Sequence, residues 1–184
     1  VSWVIAGAMS AEILLITAQA ARGVRSHFNL ATTLDASVFA LMGISITVST
    51  LAVTYVLWRT LRTPPAVAPA YRWGISLGLL VFVLASFEGG LMAARGSHTV
   101  GTAVGGEGLP VVNWSLSGGD LRVAHFIGLH ALQVLPLAGY AAARWDGLST
   151  RGSLAAVGGV ATLHGGLVVA TFVQALRGVP VVAS

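Results

Sequence analysis

Five long apolar runs constrain this chain more than any other feature of its sequence. A helix that crosses the hydrocarbon core of a bilayer needs about 20 consecutive, mainly apolar residues. Charged residues make up only 9% of the chain, whereas they make up about 25% of an ordinary soluble domain. We therefore predict an all-α fold, an integral membrane bundle of five transmembrane helices that forms one domain over residues 1–184. The predicted spans are residues 2–21, 37–60, 73–94, 121–143 and 153–176.

Segments rich in proline and glycine separate these runs, as in "RTPPAVAP" after the second span and "RWDGLSTRG" after the fourth. The longest loop, residues 95–120, contains "GGEGLP" and ends at Asp120. Aspartate is a preferred N-terminal cap, so we expect Asp120 to cap the fourth helix. Loops of this length are often functional, and a lid and a partner-docking surface are the two roles that fit.

A short repeat predicts how three of the spans end. The sequence "AARG" closes the first and third spans, and "ALRG" closes the fifth. Arginine in a last turn complements the helix dipole, and the following glycine is the usual C-terminal cap. With five spans, these three ends lie on the same side of the membrane, which we call side A. The ten arginines divide evenly between the two sides, so the short basic loops alone favour side B as cytoplasmic.

The composition excludes several classes of protein. Because the chain has no cysteine, it cannot form disulfides, thiolate zinc sites, iron–sulfur clusters or c-type haem attachments. Its cationic side chains are all arginines, which excludes the lysine Schiff base of a rhodopsin-like protein. The net charge is +4, but the arginines are scattered singly between apolar runs. We therefore predict no nucleic-acid partner.

The segment "GDLRVAHFIGLHALQ", residues 119–133, places polar chemistry inside the fourth span. Each helical residue turns about 100°, so Arg122, Gln133 and His130 fall at about 60°, 80° and 140° from His125. This arc predicts one polar face directed at the bundle interior. Ionisable groups inside membrane helices are costly and usually mark function. The alternative is that neutral histidines simply form hydrogen bonds across the bundle.

Other spans bring complementary groups to a similar depth. His164 lies in the middle of the fifth span, and Glu88 of the third span shares a face with Arg95. In the first span, Glu12 and Gln19 are seven residues apart and also share a face. His27 and His98 lie just beyond helix ends on side A.

A b-type haem is the first cofactor hypothesis. It needs two axial histidines on facing helices, small residues beside the ring and cations near its propionates. We expect His130 and His164 as the axial ligands, with His125, Gln133 and Glu88 tuning the iron or relaying protons. The glycines expected beside the ring are Gly128, Gly158, Gly165 and Gly166, and the arginines expected near the propionates are Arg22, Arg95, Arg122 and Arg177.

Two other hypotheses use the same groups. A bare iron, copper or zinc ion would be held by His125, His130, His98 and Glu88, although a spacing of five residues chelates less well than four. A transported solute or proton would use them as a relay. The pattern "GISLG", residues 74–78, is instead typical of tight helix packing without any ligand.

The combination of "SHFN", "GGEGLP", "GGDLRVAHFIGLHALQ" and "HGG" resembles an uncharacterised group of bacterial multi-pass membrane proteins. The placement of histidines and glycines is also similar in style to transmembrane b-type cytochromes and ferric reductases. That likeness implies haem- or metal-dependent electron transfer in a bacterial inner membrane, and an oxidoreductase if the chain is an enzyme. The rival expectation is a non-redox protein, either a small transporter or an accessory subunit with a structural polar core. The lipid bilayer is the expected partner, and a homo-oligomer and a larger membrane complex both remain open.

Overall fold

The computed structural model describes residues 1–182, and their secondary structure is almost entirely helical. Five spans within this part of the chain are long and apolar enough to cross a membrane, which confirms the predicted fold class. The prediction placed helix ends within four residues of those observed. The helices are α1 Ser2–Ala21, α2 Thr33–Arg62, α3 Pro69–Arg95, α4 Leu121–Leu129, α5 Ala131–Arg144 and α6 Thr150–Leu176.

The fourth span is divided into two helices by a turn at His130. α4 ends at Leu129 and α5 begins at Ala131, and the segment Leu121–Arg144 as a whole is long and apolar enough to cross a membrane. α5 contains Pro136, which cannot donate a backbone hydrogen bond and crowds the carbonyl four residues earlier. The side chains before and after His130 therefore do not follow one continuous helical arc.

The glycines of the three arginine–glycine endings cap their helices as predicted, whereas only Arg95 lies in a last helical turn and Arg22 and Arg177 are C-cap residues. Gly23, Gly96 and Gly178 follow the last turns of α1, α3 and α6 with φ angles of 69°, 62° and 73°. Glycine adopts this left-handed conformation without steric cost. The amide of each of these glycines donates to a carbonyl three residues earlier, which satisfies a helix-end acceptor.

The chain contains two compact units, Val1–Arg59 and Thr60–Ser184, and the single domain over residues 1–184 stays a prediction. The first unit contains α1 and most of α2. The second unit contains α3 to α6 and the long loop. Apolar run length predicts where helices cross the membrane, but it carries no information on which helices pack together.

Glycines place α3 directly against α5 within the second unit. A Cβ added at Gly74 would lie 2.3 Å from the carbonyl oxygen of Leu135, and one at Gly78 would lie 2.7 Å from that of Ala131. From the opposite helix, a Cβ at Gly139 would lie 2.6 Å from the carbonyl oxygen of Ala70. This contact confirms that "GISLG" is a packing motif.

The loop between α3 and α4 is folded onto the end of α6. Two short strands, β1 Thr99–Val100 and β2 Gly119–Asp120, pair antiparallel and close the loop at its base. Gly119 lies so near α6 that an added Cβ would be 1.9 Å from the carbonyl oxygen of Ala175. The loop therefore holds the side A ends of α4 and α6 together.

Candidate functional site

The carboxylate of Asp120 organises the side A end of the second unit. It caps α4 by accepting from the backbone N–H of Arg122 at 3.0 Å, as predicted, and it accepts from the N–H of Ser115 at 2.9 Å. The Arg122 guanidinium donates to both carboxylate oxygens, and Nδ1 of His98 lies 3.3 Å from Oδ1. We call these four residues, His98, Ser115, Asp120 and Arg122, the Asp120 cluster.

The Asp120 cluster is electrostatically well matched. Burial alone would raise the pKa of Asp120, whose residue is only 3% exposed. The hydrogen bonds from His98, Arg122 and Ser115, with the positive charge of Arg122, outweigh burial and hold the pKa of Asp120 well below its usual range. Two residues expected at a cofactor site, Arg122 and His98, are thus engaged by a neighbouring carboxylate.

Two of the three histidines in the spans of this unit form hydrogen bonds between helices. Nδ1 of His125 lies 2.8 Å from the carbonyl oxygen of Ala85 on α3, and Nε2 of His164 lies 2.9 Å from that of Ile127 on α4. A carbonyl oxygen can only accept, so each of these ring nitrogens carries the hydrogen. These bonds fix α4 against α3 and α6 at the level where Gly128 approaches Ala85.

The predicted single polar face of the fourth span is wrong. His125 contacts α3, whereas His130 and Gln133 are exposed. The imidazole of His130 donates to the carbonyl of Phe126 within its own segment and packs 4.1 Å from the Phe126 ring. The physical reason is that His125 and His130 are about 140° apart around the helix, so they lie on different sides of α4.

Glu88 lies on α3 between two residues that contact His125. Ala85, Glu88 and Gly89 occupy adjoining positions on one face of α3. Ala85 accepts from His125, and a Cβ added at Gly89 would lie 3.2 Å from the His125 ring. Oε2 of Glu88 is buried without a hydrogen-bond partner among the described residues.

The remaining predicted site residues have other surroundings than Glu88 and His125. Arg95 is exposed at the last turn of α3. Gly165 is half-buried on α6, and nothing lies within 4 Å of a Cβ added there. Gly158 and Gly166 are open in the same way, whereas Gly128 is filled by contact with Ala85.

The two expected axial haem ligands, His130 and His164, each make a contact within the chain. His164 uses Nε2 to hold α4, while His130 is exposed and stacked on Phe126. Among residues 1–182, no three metal-ligating side chains lie close enough to hold one ion. The bare-metal site expected from His125, His130, His98 and Glu88 is therefore not assembled within one chain.

The first unit contains a second group of ionisable residues. Asp35, 3% exposed, accepts from Arg22 at 2.8 Å, from Gln19 at 3.1 Å and from Thr32 at 2.7 Å. Thr32 in turn accepts from the Asp35 backbone N–H. Arg22, expected near a haem propionate, therefore pairs with Asp35 instead. Asp35 was not predicted as a functional residue, although "TTLD" carries the threonine-to-acid spacing of a capping box.

Comparison with protein families, characterised proteins and solved structures finds no match to this chain.

Proposed function

We propose that this protein is a non-redox membrane protein, a small transporter that carries protons across the bilayer. The observation that supports the proposal most directly is the environment of the Glu88 carboxyl group. One of its carboxyl oxygens is buried without a partner in the described part of the chain, within a helix that is long and apolar enough to span a membrane. Intramembrane ionisable groups of this kind mark ion and proton pathways.

The surroundings of Glu88 suit a site that binds and releases a proton. His125 lies against Gly89, the residue after Glu88 on α3. Its Nδ1 donates to the Ala85 carbonyl, which leaves Nε2 as the acceptor of the ring. In this proposal Glu88 is the proton-binding group, and Nε2 of His125 is the adjacent acceptor. His164 has a positioning role, because its hydrogen bond holds α4 in place beside α3 and α6.

The expected location is a bacterial inner membrane. Proteins of bacterial outer membranes are typically closed β-barrels, whereas the candidate spans of this chain are helices.

Partners are proposed on a separate observation. His130 and Gln133 are polar and exposed near the middle of the fourth span, and such groups usually form hydrogen bonds with a further helix. A second copy of the chain is the partner we propose for them.

Proton flux into liposomes tests the transporter proposal. The purified protein is reconstituted with an internal pH-sensitive dye, and a valinomycin-induced potassium diffusion potential drives protons. We expect Glu88→Gln to reduce the initial rate to that of protein-free liposomes, because the amide cannot exchange a proton. Glu107→Gln, at an exposed position in the long loop, is the matched control and retains the wild-type rate.

Two results would contradict the transporter proposal. The first is a wild-type rate no higher than that of protein-free liposomes. The second is an undiminished rate in Glu88→Gln, with incorporation of both proteins checked by quantifying them in the liposomes.

One observation favours a second function, haem- or metal-dependent electron transfer. His125 and His130 both direct Nδ1 at a backbone carbonyl and leave Nε2 as an acceptor, which is a common arrangement of metal-bound histidines. Since these histidines do not converge with His164 within one chain, this function needs a ligand from another subunit.

An optical spectrum of the detergent-purified protein, oxidised and then reduced with dithionite, tests this second function. The expected result after expression with ample haem is a Soret band with sharpened α and β bands on reduction. The variant His130→Ala should lose these bands while remaining extractable. A featureless spectrum would remove haem, and metal analysis of the same sample would then test a bare ion.

A further inference from the structure

The loop between α1 and α2 brings His27 to Glu12 of α1. Nε2 of His27, in this loop, lies 3.7 Å from Oε1 of Glu12. Glu12 precedes the end of α1 at Ala21 by nine residues, or about 14 Å along the helix axis. Since His27 follows that end, the two side chains meet only because the loop descends towards Glu12.

The environment of Glu12 differs from that of the other acid in this unit. Its side chain is 12% exposed, and Oε2 is buried without a hydrogen-bond partner among the described residues. Asp35, in contrast, accepts from three side chains. Asp35 and Arg22 largely satisfy each other at the side A end of α1, which leaves His27 as the ionisable partner in contact with Glu12.

His27 is oriented by its neighbours. Nδ1 lies 2.9 Å from the hydroxyl of Ser26, and the rings of Phe28 and Phe39 lie 6.1 Å and 6.5 Å from the imidazole. These contacts direct Nε2 towards Glu12. The His27 side chain is 47% exposed, so it connects the buried carboxyl with the surroundings of the loop. Arg25 of the same loop is exposed.

We infer that Glu12 and His27 together form a proton-binding site in which one proton is shared between Oε1 and Nε2. A shortening of the 3.7 Å separation by less than 1 Å gives a charge-assisted hydrogen bond. The proton moves from Nε2 of the imidazolium to the carboxylate, leaving neutral histidine and carboxylic acid, and returns by the reverse step. His27 exchanges the proton with the surroundings because it is the half-exposed member.

This inference concerns the first unit alone and does not depend on proton transport through Glu88. Burial of the ring lowers the pKa of His27, whereas a nearby carboxylate favours the charged imidazolium. The two residues should therefore titrate as a coupled pair with shared macroscopic midpoints. An isolated loop histidine would titrate independently of Glu12.

Histidine ring nitrogen chemical shifts, measured by NMR on the ¹⁵N-labelled full chain in detergent micelles, test the coupling. The His27 signals are assigned from their loss in His27→Gln. We expect Glu12→Gln to lower the His27 midpoint by about 1 pH unit, because the attracting charge is removed. Glu12→Asp retains the charge on a shorter side chain and should give a smaller change, while Glu107→Gln leaves the midpoint unchanged.

Infrared difference spectroscopy provides the reciprocal measurement. The carboxyl band that is absent in Glu12→Gln should titrate with the His27 ring in the wild type, and its midpoint should shift in His27→Gln. An unchanged His27 midpoint in Glu12→Gln, or a Glu12 carboxyl band that ignores His27→Gln, would overturn the shared site. Neither outcome affects the flux result for Glu88, which is measured separately.

Discussion

At the scale of single residues, the hydrogen-bond partners of the buried polar side chains are what the sequence does not predict. The sequence predicts the depth of His125 and His164 in their spans, and the structure places both between helices. The sequence does not predict that each imidazole donates to a backbone carbonyl, because the acceptors, Ala85 and Ile127, lie on other helices. Asp120 was foreseen as a helix cap, but its contacts with His98 and Ser115 arise only when the loop closes.

The Asp120 cluster leads to a prediction about stability. Asp120→Asn removes the negative charge that binds Arg122 and His98, so we expect it to lower the free energy of unfolding by about 2 kcal/mol at pH 7, the scale of a hydrogen bond to a charged group. The pKa of Asp120 is depressed in the folded protein. Its contribution is therefore fully present above the ordinary aspartate value of about 4 and decreases as the pH falls below it.

Thermal unfolding of the detergent-solubilised protein, followed by circular dichroism between pH 3 and 7, measures this contribution. The difference between wild type and Asp120→Asn should narrow towards pH 3. Asp146→Asn, an exposed site in the loop before α6, controls for the change of residue type. A difference that is independent of pH would show that the charge of Asp120 is not what stabilises the cluster.

At the level of helices, the local sequence predicts the ends better than the interruptions. The arginine–glycine endings and the packing motif at Gly74 and Gly78 depend on residues adjacent in the chain, and both are confirmed. The turn at His130 was missed. Pro136 predicts a distortion of the fourth span, but the break between α4 and α5 lies six residues before it. At that point the backbone of α5 packs against the glycines of α3.

The contact between α3 and α5 predicts unequal effects of the same substitution at two glycines. Gly74→Ala introduces a methyl group 2.3 Å from the Leu135 carbonyl oxygen, so the helices must separate. We expect a loss of about 1–3 kcal/mol in unfolding free energy, the usual cost of overpacking. Gly159→Ala, where nothing lies within 4 Å, should be neutral or slightly stabilising. Equal unfolding midpoints in the two variants, measured in the same detergent, would argue against close packing at Gly74.

For the whole molecule, the sequence predicts the number and position of the spans but not their grouping. Apolar run length, breakers and caps define five spans that agree with those observed. The division at Arg59 was not foreseen, because hydropathy does not specify which faces of the helices meet. For the same reason the sequence places His130 and His164 in their spans but does not predict that His164 contacts the Ile127 carbonyl or that His130 is exposed.

The glycine-capped helix ends also determine how the protein responds to membrane thickness. α3 and α6 each contain 27 residues, or about 40 Å of helix, whereas the hydrocarbon core is about 30 Å thick. Gly96 and Gly178 fix where these helices stop, so unwinding at those ends does not relieve the excess length. Because the loop of residues 95–120 joins the ends of α4 and α6, a tilt that accommodates hydrophobic mismatch moves these two helices together.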